Sequence, residues 1–103
     1  MRQVPDKTIH KLENKIQREI LSYLDTIPCL YAIKIIVANN RGVPDILCCY
    51  KSKFLALEVK SKWNLTTAIQ RYNLDTIIKA GGTAAVVRSV SEVKRILGEV
   101  GHD

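Results

Sequence analysis

No hydrophobic stretch in this sequence approaches the length needed to cross a lipid bilayer, and its N-terminal segment, MRQVPDKTIHKLENK, lacks the apolar core of a secretory leader. The expectation is a chain with no membrane partner, located in the cytoplasm, that of the host cell if the source is viral. Cysteine is scarce and odd in number: Cys29, Cys48 and Cys49 are the only three. Neighbours in a strand point to opposite faces, so Cys48 and Cys49 form neither a disulfide framework nor a CxxC metal pair, and all three are expected to be buried small hydrophobes. Histidine is limited to His10 and His102, neither near a suitably placed serine or cysteine, which removes a nucleophilic triad. P-loop and GxGxxG patterns are absent, so nothing supports nucleotide hydrolysis or dinucleotide binding. The lone tryptophan, Trp63, is expected to be structural.

Basic charge is what the chain has in excess. Sixteen Lys and Arg stand against ten Asp and Glu, a net +6 that favours a polyanionic partner. A length of 103 residues with 47% hydrophobic and 25% charged content fits one globular domain over 1–103, with no linker.

The most informative segment is GVPDILCCYKSKFLALEVK, residues 42–60. Two near-continuous apolar runs, Ile46 to Tyr50 and Phe54 to Val59, flank the polar Lys51-Ser52-Lys53, the pattern of central strands covered on both faces. Pro44 has no N–H to give and therefore stands at a strand start, followed directly by Asp45. Side chains alternate along a strand, so Glu58 and Lys60 share a face, and a tight turn at Lys51-Ser52 sets Asp45 opposite Glu58. Two carboxylates crowded at the end of an apolar hairpin repel each other and lose hydration unless a cation lies between them. Oxygen ligands of this kind suit Mg²⁺ or Mn²⁺.

Upstream, Ile9, Leu12, Ile16, Ile20, Tyr23 and Leu24 recur at helical spacing from Thr8 to Asp25, with Asp6 or Thr8 as the N-cap. At 100° per residue Glu13 projects between Ile20 and Leu24, inside the apolar stripe, whereas Glu19 falls at its margin. A carboxylate there either finds a basic partner at the rim or belongs to a site. Lys7, Lys11, Lys15 and Arg18 repeat along the outward face, as a solvated stripe or as contacts to DNA phosphates. Arg41 and Lys62 flank the hairpin and extend that candidate surface.

Leu30 to Val37 reads as the first strand. A loop at Ser61 to Leu65 leads to a helix capped by Thr66 or Thr67 and ending at Ala80 before Gly81-Gly82. On it Gln70 projects with Leu74 and Ile77 toward the sheet; Ile78 is expected on that side too, with Ile69 and Tyr72 elsewhere. Thr83 to Arg88 is a fourth strand and Ser91 to Leu97 a last helix. The order αβββαβα predicts a three-layer α/β/α sandwich around a mixed sheet of about four strands, with the second strand antiparallel to its neighbours.

Taken together, Glu13 in LENKIQREILSYL, Gly42-Val43-Pro44-Asp45, Glu58-Val59-Lys60, Gln70 after its threonine-rich cap and Gly81-Gly82 before AAVV resemble the VRR-type nuclease family of the PD-(D/E)xK superfamily, from residue 12 to residue 95. The resemblance implies a restriction-endonuclease-like core and metal-dependent phosphodiester hydrolysis. Its catalytic set would be Asp45, Glu58, Lys60, Glu13 and Gln70, with Mg²⁺ or Mn²⁺ held by Asp45, Glu58, the Val59 carbonyl and Glu13. Compact members of the family resemble phage or viral Holliday-junction resolvases, which implies a homodimer acting on branched DNA such as four-way junctions. A flap or single-strand nicking nuclease is the alternative within the class, and a non-catalytic DNA-binding module the alternative outside it.

Overall fold

A two-residue turn sets the register of the sheet. Lys51 and Ser52 both take positive φ, 51° and 65°, the left-handed pair that a type I′ hairpin requires. Tyr50 therefore faces Lys53 and Ile46 faces Leu57 in the antiparallel pair of β2 (Ile46–Tyr50) with β3 (Lys53–Val59). Continued outward by one residue, the same register sets Asp45 against Glu58. In the computed structural model, which describes residues 6–101, β1 (Leu30–Lys34) adds antiparallel to β2 and β4 (Thr83–Val87) parallel to β3. The strand order is β1-β2-β3-β4, with the hairpin in the middle as expected.

Helix α1 (Asp6–Leu24) and helix α3 (Val90–Val100) pack on each other and on one face of the sheet, while α2 (Ala68–Lys79), the crossover between β3 and β4, lies against those two strands on the other. The alternation along β3 divides the layers. Leu55, Leu57 and Val59 join Ile20, Leu24, Ile46, Cys48, Val87, Val93, Ile96 and Leu97 in the main core, each such aliphatic side chain contributing about 1.5–3 kcal/mol of transfer free energy. Ala56, Glu58 and Lys60 point the other way, toward α2. No helix among the described residues is long and apolar enough to cross a membrane.

Several expectations need correction. Only β3 is covered on both faces; in β2, Cys49 is exposed and Leu47 half-buried, because α2 spans β3 and β4 and leaves the β1–β2 half of that face open. Of the cysteines only Cys48 is buried, and Cys29 and Cys49 are exposed. The first strand stops at Lys34 rather than Val37. The amide of Ile35 still donates to the Asp45 carbonyl at 2.8 Å, but the next ladder position meets Pro44, and Ile36 and Val37 stand in solvent. Trp63 is also exposed, its ring 4.6 Å from the Lys62 ammonium, so it packs no core. On α2, Leu74 is buried and Ile77 half-buried, but Ile78 is exposed along with Ile69 and Tyr72. Helix α3 is longer than expected, beginning after Ser89, whose hydroxyl caps the Glu92 amide. Asp6 and Thr8 lie within α1, whose N-cap position falls outside the described residues, as does His102.

Candidate active site

The site forms where the open end of the hairpin meets α1 and the segment after β3. Pro44 is fully buried and anchors the entry to β2, and the carboxylate of Asp45 accepts from the Val59 amide at 2.7 Å through Oδ2. That bond spans the hairpin end and fixes Asp45 beside Glu58. Glycine is required just upstream: Gly42 has φ 73°, and a Cβ there would lie 3.0 Å from the Ile69 carbonyl carbon and 3.1 Å from the Gln70 nitrogen. The first turn of α2 is thus pressed against the loop that delivers Asp45. Asn73 holds the same contact by donating to the Arg41 carbonyl at 3.0 Å.

Glu58 is 2% exposed and Lys60 5%, with the ammonium 3.8 Å from Glu58 Oε2. The Lys60 amide donates to the Val87 carbonyl at 3.0 Å, pinning the residue beside the end of β4. The other Glu58 oxygen, Oε1, is buried without a hydrogen-bond partner. Burial first, then the charge of Asp45 and a hydrogen bond with it, push the Glu58 carboxyl up to about 8; Lys60 opposes the shift and Glu13 adds to it. Without a cation the Glu58 carboxyl therefore keeps its proton well above the usual carboxylate range.

Glu13 approaches from α1, as its helical projection requires, while Glu19 is exposed. Its Oε2 accepts from the Ser61 amide at 3.1 Å and from Asn64 Nδ2 at 2.8 Å. These bonds hold Glu13 near the hairpin pair but apart from it: among the described residues no three acidic, His or Cys side chains converge tightly enough to enclose a metal by themselves. The donor set nonetheless fits a hard divalent cation. An orphaned buried carboxylate oxygen, a second carboxylate beside it and the Val59 carbonyl are all oxygen donors, and Glu13 is placed to act through water.

Gln70 is held locally by the cap of its own helix. Its side-chain oxygen accepts from the Thr67 amide at 2.9 Å while Thr67 Oγ1 accepts from the Gln70 amide at 3.2 Å, a reciprocal capping box that opens α2. Lys60 pairs with Glu58, and Gln70 keeps its Nε2 for other use. Lys7, Lys11, Lys15, Arg18, Arg41 and Lys62 are all exposed. Lys15 and Arg18 line an open groove with Arg88 and Ser89, and Arg41 and Lys62 stand elsewhere.

The sequence reading missed four residues here. Gln17, one turn after Glu13, is 8% exposed with its side-chain oxygen unpartnered. The projection that singled out Glu13 puts Gln17 beside Leu24, so that signal was available. Ser61, Asn64 and Arg88 carried none, because their importance comes from contacts between segments distant in the chain.

This architecture is the restriction-endonuclease-like α/β/α sandwich. No family model and no curated protein sequence matches the chain. Solved structures do: one described as "VRR_NUC domain" has a TM-score of 0.71 at 19% identity, covering 88% of this chain and 96% of that one. Another, "VRR_NUC domain protein", has a TM-score of 0.73 at 15% identity and covers 85% and 86% respectively. The chain has the fold of a VRR_NUC domain.

Proposed function

We propose that this protein is a Mg²⁺- or Mn²⁺-dependent endodeoxyribonuclease that cuts branched DNA as a homodimer. The observation that carries this reading is the buried hairpin end, where Asp45 and Glu58 share one face with Lys60 and a Glu58 oxygen lacks any partner. On a VRR_NUC fold that constellation is best explained as a metal-assisted phosphodiesterase site.

Asp45, Glu58 Oε1 and the Val59 carbonyl would hold the cation, with Glu13 through water. When bound, the ion supplies positive charge against the scissile phosphate and acidifies water. Lys60 orients the attacking water and offsets charge that develops on the phosphoryl oxygens. The water gives up a proton to solvent as its oxygen bonds to phosphorus and the bond to the leaving sugar oxygen breaks, and that leaving oxygen takes up a proton from solvent. Gln70 Nε2, left over from the capping box, is a donor for a phosphate oxygen at the start of α2.

Resolving a four-way junction takes two symmetric nicks, and one copy of this fold offers one such site, hence the homodimer. The test is cleavage of a four-way junction, a flap and a linear duplex of identical sequence with Mg²⁺ or Mn²⁺, alongside light scattering. Paired nicks on the junction by a dimer are expected. A strictly monomeric species, with and without junction DNA, would favour a flap or single-strand nickase. Absence of metal-dependent cleavage on every substrate would leave a DNA-binding module.

A further inference from the structure

We infer that Arg88 and Asn64 are positioning residues for the active site, a clamp that sets the orientation of Glu13. Arg88 follows the last residue of β4, and a single nitrogen of its guanidinium, Nη1, donates to two carbonyls of the segment after β3, those of Ser61 and, at 2.8 Å, Asn64. The segment is closed on itself as a turn, with the Asn64 amide donating to the Ser61 carbonyl at 3.2 Å. Arg88 is itself fixed from the far side, its amide donating to Glu92 of α3 at 2.6 Å. So held, the turn aims two donors, the Ser61 amide and Asn64 Nδ2, at one oxygen of Glu13. That oxygen is spent. Among the described residues Glu13 Oε1 has no hydrogen bond, which leaves it as the oxygen open to the site.

The arrangement has the logic of an outer-shell partner of a metal ligand, in which neutral donors fix which lone pairs a carboxylate presents. It also links distant elements in one chain of hydrogen bonds: α3 holds Arg88, Arg88 holds the turn, and the turn holds α1 at Glu13. The inference rests on the reading of Glu13 as part of a metal-dependent site, and the test separates the two.

Mn²⁺ binding is measured by calorimetry on the full chain without DNA for wild type, Asp45→Ala, Asn64→Ala, Arg88→Lys, Glu13→Gln and the Glu13→Gln/Asn64→Ala double variant, and cleavage is measured in parallel. Asn64→Ala should weaken Mn²⁺ binding and raise the Mn²⁺ needed for cleavage by about tenfold to a hundredfold, leaving the KM for DNA unchanged. Arg88→Lys keeps the charge and a donor, and should fold and move the same way by less. In the Glu13→Gln background Asn64→Ala should add nothing further, since both act through one carboxylate. Wild-type binding that is lost in Asp45→Ala but unchanged in Asn64→Ala overturns the clamp alone, as do additive effects in the double variant. A wild-type chain that binds no Mn²⁺ overturns the metal reading and the clamp with it.

Discussion

Glu58 is a carboxyl group kept protonated by its surroundings until something better than a proton arrives. Burial is the main cause, and Asp45 the second, of a carboxyl titrating at about 8 rather than 4.5. The consequence for stability has a definite sign. Between those two values the folded protein retains a proton that the unfolded chain has released, so this group's contribution favours folding most at the acid end and is lost as pH rises toward 8. With metal chelated, the Tm of wild type should fall relative to Glu58→Gln across that window, and the two should converge near pH 5. Adding Mn²⁺ at pH 8 should restore wild type and not the variant; a Tm difference independent of pH would contradict the burial argument. At the same scale, Asp45→Ala, Glu58→Ala and Lys60→Ala should each abolish cleavage, while Lys60→Ala still binds DNA because it leaves the exposed cations of α1 and the hairpin flanks in place. Near-normal cleavage by any of the three would remove the proposed mechanism.

Among the elements, the hairpin was the most legible because its register follows from turn length: a two-residue turn at Lys51-Ser52 leaves one way to pair the two strands, and that pairing brings Asp45 to Glu58. Strand order and helix placement followed from the same pattern. Gln70 has a further part, equally local, that its sequence context also carries. Thr67-Ala68-Ile69-Gln70 is a capping-box sequence, and a glutamine at its third helical position turns back on the cap before it reaches anything else. The open half of the sheet was not legible, since Cys49 and Leu47 look like core residues until the reach of α2 is known. Nor was the Arg88 clamp, in which a guanidinium meets carbonyls 27 and 24 residues away. The turn itself yields a prediction. Lys51 and Ser52 adopt left-handed backbone that neither residue favours, so replacing the pair with Asn-Gly should stabilise the fold by about 1 kcal/mol and raise Tm by roughly 4–8 °C. An unchanged or lowered Tm would show that Lys51 contributes more through its contact with the Tyr50 ring, 5.5 Å from its ammonium, than the turn costs.

For the molecule as a whole, the question is whether its net charge of +6 is organised toward DNA or merely present. Lys7, Lys11, Lys15 and Arg18 are exposed on α1, the helix that also carries Glu13. Two of them, Lys15 and Arg18, border an open groove of about 820 Å³ whose far wall is Arg88, Ser89 and the first turn of α3, where a helix N-terminus adds partial positive charge. Glu19 lines the groove as well, so the surface is not uniformly basic. If a DNA backbone lies along α1, each cation that neutralises a phosphate releases counterions, and binding falls with salt in proportion to the number of such contacts. Replacing any two of the four with Gln should weaken binding to junction, flap and duplex alike and reduce the slope of log affinity against log salt by up to about two. The shape preference should survive, because phosphate contacts carry charge but little information about geometry. A slope unchanged within error would make these four side chains a solvated face and move the DNA path to Arg41 and Lys62 at the two flanks of the hairpin.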